Sequence, residues 1–439
     1  MGTPIRFALL GCGTVGSGVV ELVTRNRKYL ETRIGAPLEL ARVVVRDANK
    51  ARTASLDPRL LTTDVSSVVG AKDVDVVVEV VGGVEPAGHW VEAALRAGQS
   101  VVTANKSLLA ARGPELLRLA AAHHADLGFE ASVGGAVPIV RTLREHLVAD
   151  WVRSLRGIVN GTCNYILTRM RDEGASFGEV LRAAQDLGYA EAEPSLDVDG
   201  HDAAHKLCVL AMLAFGAEVQ PADVPTEGIR AIEPVDLRYA ARFGYAIKHL
   251  AVARETKDGA LDLRVHPALV PARAPLASVD GVLNGVALQA DAAGAQVLVG
   301  PGAGAHPTAA SVVADLVDAA RARRAGVSGL LTQGLDPARR AIAEAGLQEA
   351  PWYLRLRVTD RPGVLAQIAG ALGQHQVSIE QLVQESRGRR VDDPSTEEEP
   401  RIIVFLTHDA TERDVRAAVR AIDAMPFVHG ATMALRVEA

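Results

Sequence analysis

The densest run of reactive side chains is Asp199-Gly200-His201-Asp202-Ala203-Ala204-His205-Lys206. Asp202 and Lys206 are four residues apart, so on a helix they share a face. Spacing alone favours a solvated ion pair. His201 and His205 imitate HExxH with Asp in place of Glu, but zinc would need both on an open face and a third ligand. Upstream, Gly188-Tyr189-Ala190-Glu191 and Ser195-Leu196-Asp197 add carboxylates. Several acids around one lysine suit a small substrate carrying an ammonium group and a reacting oxygen. A second lysine, Lys106, follows the apolar run that ends at Thr103.

The other chemical signal is Gly11-Cys12-Gly13-Thr14-Val15-Gly16, between an apolar strand and a helix. In such a loop the first glycine allows a tight turn. The second lets a pyrophosphate approach the backbone, and the third lets the helix pack close to the strand. Amides at the helix N-terminus then hold the anion, so a dinucleotide is expected. The end of the second strand selects between cofactors. Arg46 there suits the 2′-phosphate of NADP, while the adjacent Asp47 keeps NAD possible.

These residues require a scaffold, and the chain supplies an alternation. Strands are expected at 5–10, 38–45, 74–80, 100–104 and 127–131, with helices at 15–28, 86–97 and 114–124. Residues 74–80 are almost all Val and Asp, the pattern of a strand buried on both faces. This alternation implies a parallel sheet with right-handed crossovers. Ligands bind outside the carboxyl ends of such strands. That edge gathers residues 11–16, 81–83, 103–106 and 130–135.

Residues 153–299 have an α+β texture, with helices expected at 162–171, 177–187 and 201–215. The turn 300–304 opens a helix to about Arg321 that can pack back on the first domain. An Ala-rich helical connector is expected at 337–347. From Trp352 the order is βαββαβ, the ferredoxin-like split, with a polar loop at 386–400 carrying Glu397-Glu398-Glu399. The fold class is therefore α/β: a Rossmann-type parallel sheet domain (1–135, completed by 304–325), an α+β catalytic and dimerisation domain (136–303), and a C-terminal ferredoxin-like domain (352–439).

Composition excludes several classes. Hydrophobic residues make up 48% of the 439, too many for a mostly disordered chain. The net charge of −6 comes without a strongly basic domain, which argues against nucleic acid. No apolar run approaches the roughly 20 residues a membrane span needs, and the N-terminus lacks a signal pattern. Cys12, Cys163 and Cys208 are far apart, so neither a disulfide framework nor a CxxC site is expected. A cytoplasmic protein is the expectation.

At these residues the chain resembles homoserine dehydrogenases that carry a C-terminal ACT domain. The matching segments are GCGTVG at 11–16, VVEVVGG at 77–83, TANKSLLA at 103–110, FEASVGGAVPIV at 129–140, NGTCNYIL at 160–167, LGYAEAEPSLDVDGHDAAHKL at 187–207 and GPGAGAHPTAA at 300–310. TDRPGVLAQIAGAL at 359–372 resembles the ACT signature. The resemblance implies NAD(P)-dependent interconversion of L-aspartate 4-semialdehyde and L-homoserine, in threonine, methionine and isoleucine biosynthesis. It implies Lys206 as proton donor with Lys106 assisting, and Glu191, Asp197 and Asp202 as substrate-binding residues. Cofactor contacts are implied for Gly11, Gly13, Thr14, Val15, Gly16, Arg46, Thr103, Lys106, Gly188 and Gly304. A monovalent cation such as Na+ is implied at Glu130, Val133, Gly135 and Val137. A homodimer or homotetramer and feedback through the ACT domain, with L-threonine as effector, complete the expectation. A chain ending near Ala350 would then keep dehydrogenase activity. Relatives often have glycine in the turn that here reads Gln374-His375-Gln376-Val377-Ser378-Ile379. Two other readings are a different NAD(P) oxidoreductase for a small amino-acid-derived carbonyl and a catalytically dead nicotinamide and amino-acid sensor. The motif at 187–207 argues against the first, and intact Lys106 and Lys206 against the second. No kinase-like segment precedes residue 5, so a bifunctional kinase–dehydrogenase is not expected.

Overall fold

The computed structural model describes residues 3–332, 334–384 and 400–438. The Val-rich N-terminal segments form a parallel sheet in the order Leu61–Thr62, Leu38–Val44, Ile5–Leu10, Val76–Glu79, Ser100–Thr103, Leu127–Gly128. The order reverses between Ile5–Leu10 and Val76–Glu79, which opens a crevice at their carboxyl ends. Alternate residues of Val76–Glu79 serve two cores. Val76 and Val78 join Phe7, Val19 and Leu316, while Val77 joins Val91, Leu108 and Leu117. Burial on both faces explains the unbroken valine run. The helix Ala305–Arg324 returns to this domain, as expected. A Cβ on Gly18 would lie 2.7 Å from the Ala305 carbonyl oxygen, so the glycine permits that contact.

Several expected elements are corrected. The helix expected at 15–28 breaks at Asn26 into Thr14–Arg25 and Arg27–Ile34. The helix expected at 114–124 spans Lys106–Ala122. Its start is set by Asn105, whose Oδ1 accepts from the Leu108 amide at 3.1 Å. Pro114 is therefore interior, not a first-turn residue. The connector at 337–347 is not helical. Its backbone is claimed by neighbours: Ala338 bridges Ala217, and Ile342 bridges Leu261. The helix Pro234–Arg242 and the short strand Leu61–Thr62 were not anticipated.

Among the described residues the second sheet has nine strands. Their order is Gly294–Pro301, Leu283–Ala290, Val152–Ile158, Tyr245–Glu255, Leu261–Pro271, Met433–Val437, Trp352–Val358, Arg401–Thr407, Ile379–Gln384. The last four, with helices Val364–Gln374 and Glu412–Asp423, are the expected βαββαβ unit. Met433–Val437 pairs in parallel with Leu261–Pro271, with Val437 opposite Leu269. Tyr353, Leu406 and Leu435 share a core with Leu167, Tyr239 and Leu269. Asp236, fully buried, accepts from the Tyr353 hydroxyl at 3.0 Å and Arg355 Nε at 2.6 Å. The C-terminal unit is thus built into the core around residues 163–269, and a chain ending near Ala350 would expose that core. Gln376 sits at φ 61°, so the turn keeps a left-handed position without glycine. The polar loop expected at 386–400 lies outside the described residues except for Pro400. Among the described residues no helix is long and apolar enough to cross a membrane.

Candidate active site

Gly11 turns the chain with φ 97°, and a Cβ on Gly16 would lie 2.5 Å from the Gly11 carbonyl oxygen. Helix Thr14–Arg25 can therefore start hard against the strand. A Cβ on Gly13 would meet nothing within 4 Å, which leaves open space where the loop faces the crevice. Thr14 and Val15 open the helix, with its free amides at that end. Arg46 is exposed and has no ion-pair partner among the described residues. Asp47, by contrast, is committed to its own turn, its Oδ1 accepting from the Asn49 amide at 2.8 Å.

The middle of the edge is organised by Glu79, which sequence reasoning missed. It is fully buried. It accepts from the Thr103 hydroxyl at 2.6 Å and from the amides of Val81 and Gly82 at 2.7 and 3.1 Å. Asn105 Nδ2 donates to the Gly83 carbonyl at 2.6 Å. These bonds fix the Gly-rich loop and place Lys106 on the first turn of its helix.

Lys106 and Lys206 converge on one carboxylate. Lys206 Nζ donates to Asp202 Oδ2 at 2.7 Å and to the Val159 carbonyl at 2.6 Å. Lys106 Nζ lies 2.6 Å from Asp202 Oδ1. The Lys206 side chain is 11% exposed and that of Lys106 35%, so Lys106 faces the cleft while Lys206 is pinned beneath it. Asn160, another residue missed, donates from Nδ2 to Asp197 Oδ1 at 2.8 Å and Asp202 Oδ2 at 2.9 Å. Its Oδ1 caps helix Gly161–Glu173 by accepting from the Cys163 amide at 2.8 Å. The sequence signal was available, because Asn before Gly-Thr at a helix start is an N-cap pattern. Asn284 Nδ2 also donates to the Val159 carbonyl, at 3.1 Å. A solvated ion pair is thereby ruled out, since Asp202 is 2% exposed.

The charges push these groups apart. Burial pulls Lys206 below the ordinary lysine value; Asp202 opposes this and Lys106 adds to it. Burial also works against Lys106, but the carboxylates of Asp202, Asp197 and Glu191 outweigh it and raise that lysine. Asp202 is buried, yet the two ammonium groups hold it well below the usual carboxylate range. Asp197 is raised, chiefly by burial. Glu191 is exposed on the segment after Gly188, within electrostatic reach of Lys106. Gly188 has φ 76° with open space where a Cβ would be.

Gly304 precedes helix Ala305–Arg324 with φ 119°. Its turn is drawn to the edge by Gly135, where a Cβ would lie 2.5 Å from the Gly302 carbonyl. The Glu130 carboxyl accepts from the amides of Val140 and Arg141 at 3.0 and 2.7 Å. Burial and the neighbouring Asp315 still raise it to about 7. Val133, Gly135 and Val137 lie on the loop that follows, closed by a Val137 amide bond to the Gly134 carbonyl at 2.9 Å. The Gly135 carbonyl accepts from the Ser311 hydroxyl at 2.7 Å. No cluster of three or more His, Cys, Asp or Glu able to hold a metal occurs among the described residues. Neither His201 nor His205 belongs to such a cluster.

Known proteins match this arrangement throughout. The family model "Homoserine dehydrogenase, NAD binding domain" matches residues 11–130, "Homoserine dehydrogenase" matches 138–317, and "ACT domain" matches 352–427. A homoserine dehydrogenase of Neisseria gonorrhoeae is 40% identical, covering 99% of each chain. That of Corynebacterium glutamicum is 42% identical over 100% of this chain and 96% of the relative. The chain belongs to the homoserine dehydrogenase family. The crystal structure of a homoserine dehydrogenase from Thiobacillus denitrificans superposes with a TM-score of 0.90 at 42% identity, covering 99% of this chain and 98% of that one. A hyperthermophilic archaeal homoserine dehydrogenase in complex with NADPH covers 72% of this chain and 98% of its own, at 26% identity and a TM-score of 0.61. The chain is thus a nicotinamide-dependent oxidoreductase that interconverts L-homoserine and L-aspartate 4-semialdehyde. The open glycine loop and the crevice above it fit such a cofactor.

Proposed function

We propose that Lys206 is the proton donor when the semialdehyde is reduced, with Lys106 assisting at the cleft side. The observation that carries this is one buried carboxylate, Asp202, held between the two lysines. The bound nicotinamide supplies or removes hydride. Negative charge growing on the aldehyde oxygen then meets a positioned ammonium group that can stabilise and protonate it. The lowered proton affinity of Lys206 suits a group that must both give and recover a proton. Lys106, raised and more open, suits electrostatic support. Glu191, Asp197 and Asp202 would receive the substrate's ammonium group.

The cofactor contacts of this reading are Gly11, Gly13, Thr14, Val15, Gly16, Thr103, Lys106, Gly188 and Gly304. Unpaired Arg46 favours NADP over NAD. A monovalent cation such as Na+ would sit at Glu130 with the backbone of Val133, Gly135 and Val137. The raised Glu130 supports this, because a bound cation would offset the burial of its charge. We read the domains as 1–135 with 304–325, 136–303, and 352–439, in a homodimer or homotetramer of the cytoplasm. The ACT unit would bind L-threonine near Gly363, which has φ 89° and starts helix Val364–Gln374.

One assay tests these points on the intact chain: cofactor oxidation with L-aspartate 4-semialdehyde as sole acceptor. NADPH should outperform NADH, Na+ should raise the rate, and L-threonine should lower it. In Arg46→Ala, kcat/KM should fall about 10- to 100-fold for NADPH, the scale of a lost charge-assisted hydrogen bond, and little for NADH. Equal losses for both would mean that Arg46 does not read the phosphate.

A further inference from the structure

A second charged cluster lies where the ACT strands meet the catalytic sheet. It surrounds a cavity of about 40 Å³ whose wall includes Arg264, His266, Trp352, Glu412, Arg416 and Arg436. Glu412 accepts from Arg436 at 2.5 Å, Arg264 at 3.2 Å and Arg416 at 3.4 Å. Arg416 also binds Glu227, across from the catalytic domain. Three guanidinium groups thus face two carboxylates in the wall. Behind it, Asp262 is shared between Arg264 and Arg254. His266 Nε2 faces Glu438 at 3.6 Å.

Arg436 is the unfinished part. It is 3% exposed, its guanidinium carbon lies 4.7 Å over the Trp352 ring, and its Nη1 has no hydrogen-bond partner. A buried donor without a partner is costly, and more so when charged. A cavity of this size holds a few small atoms and no nucleotide. A planar guanidinium matches the paired oxygens of a carboxylate or phosphate.

We propose that this junction cavity is an oxyanion site, for a carboxylate or free phosphate held by Arg436 and Arg416, and that its occupancy is felt at the substrate segment. The second part follows the chain from Glu227. Its amide donates to the Val265 carbonyl at 2.7 Å, and its own carbonyl meets His249 Nε2 at 3.0 Å. The next residue, Gly228, packs so closely that a Cβ would lie 2.3 Å from the Val198 carbonyl oxygen. The Ile229 amide bonds the same oxygen at 2.9 Å. Val198 follows Asp197 and leads into the helix of Asp202 and Lys206. An anion that draws Arg416 from Glu227 frees a loop wedged against that segment. This coupling rests on Asp197 holding substrate; the binding itself does not.

The test uses the full chain with Trp90→Phe and Trp151→Phe, which leaves Trp352 as the sole tryptophan reporter. Sodium phosphate, sodium acetate and L-threonine are titrated at constant ionic strength. A saturable change in Trp352 fluorescence is expected. Saturation by phosphate alone assigns a free inorganic anion, saturation by acetate assigns a carboxylate, and a threonine response is assigned to this cavity only where Arg416→Gln weakens it. Arg416→Gln, at the half-exposed mouth, should weaken binding about tenfold, as should Arg436→Gln if it folds. The saturating anion should also change KM for the semialdehyde at saturating cofactor, and that change should vanish in Arg416→Gln. No saturable signal, or equal affinity in Arg416→Gln, would overturn the site; a saturable signal with an unmoved KM would overturn the coupling alone.

Discussion

Asp202 in the catalytic cleft and Glu412 at the ACT junction are both carboxylates ringed by cations. Asp202 holds two lysines, while Glu412 holds three arginines. The choice of cation separates their tasks. A buried lysine shifts its proton affinity readily, whereas a guanidinium stays charged and offers a rigid fork of donors. Around Asp202 the environment splits two chemically identical lysines, lowering Lys206 and raising Lys106. Around Glu412 the charges are fixed and join strands of two domains. The first cluster is suited to moving a proton and the second to holding two surfaces in register.

The comparison breaks most sharply at Lys206. Lys206→Ala should cut turnover by about 10²–10⁴, the scale for losing a positioned acid, with cofactor affinity unchanged. A turnover close to wild type would remove the proton-moving role from the Asp202 cluster. The fixed-charge side is tested next at Asp236, which ties Tyr353 and Arg355 to the catalytic helix Pro234–Arg242. Asp236→Ala leaves the buried Arg355 guanidinium with Glu233 as its remaining carboxylate and the Tyr353 hydroxyl without its acceptor, and should cost about 1–3 kcal/mol in urea unfolding. Unfolding of the ACT unit alone, with the catalytic domain untouched, would show that the two are not one cooperative core.

A smaller effect is expected at Glu438, beside the same junction. Burial opposes its charge, but His266 at 3.6 Å and Arg254 and Arg156 at 3.5 Å outweigh this and lower it to about 2. A depressed carboxyl stabilises the fold above its unfolded value of 4.5 and loses that contribution as pH falls toward 2. Glu438→Gln should therefore be less stable than wild type near neutrality, and the gap should close through that acid window. A gap that does not change with pH would place the effect in packing rather than charge.

The glycine loop, the valine run and the two lysines were legible because each carries a local signature. Gly11 and Gly16 are forced by backbone approach, and residues 76–78 by burial on both faces. Asn160 was legible as a helix cap, but its bonds to Asp197 and Asp202 were not, and Asn284 and Glu79 were not legible as site residues. In each case the bond that matters at the site reaches a partner distant in sequence, such as Asn284 on the Val159 carbonyl or Glu79 on the Thr103 hydroxyl. The same limit explains the connector at 337–347. Its alanine content favours helix locally, but tertiary bridges to Ala217 and Leu261 win. The fusion of the ACT unit with the catalytic sheet was equally hidden, since it rests on two paired positions at the end of the chain.

The central claim is that Lys206 delivers the proton from a lowered proton affinity. It is tested most directly by the pH dependence of kcat for semialdehyde reduction, in wild type and in Lys206→Arg. The donor must be protonated, so the wild-type rate should fall as pH rises through a value below the ordinary 10.5 of lysine. Homoserine oxidation should rise through the same range. In Lys206→Arg the residual rate should lose that limb, because arginine does not deprotonate there. A limb that persists unchanged in Lys206→Arg would contradict the account.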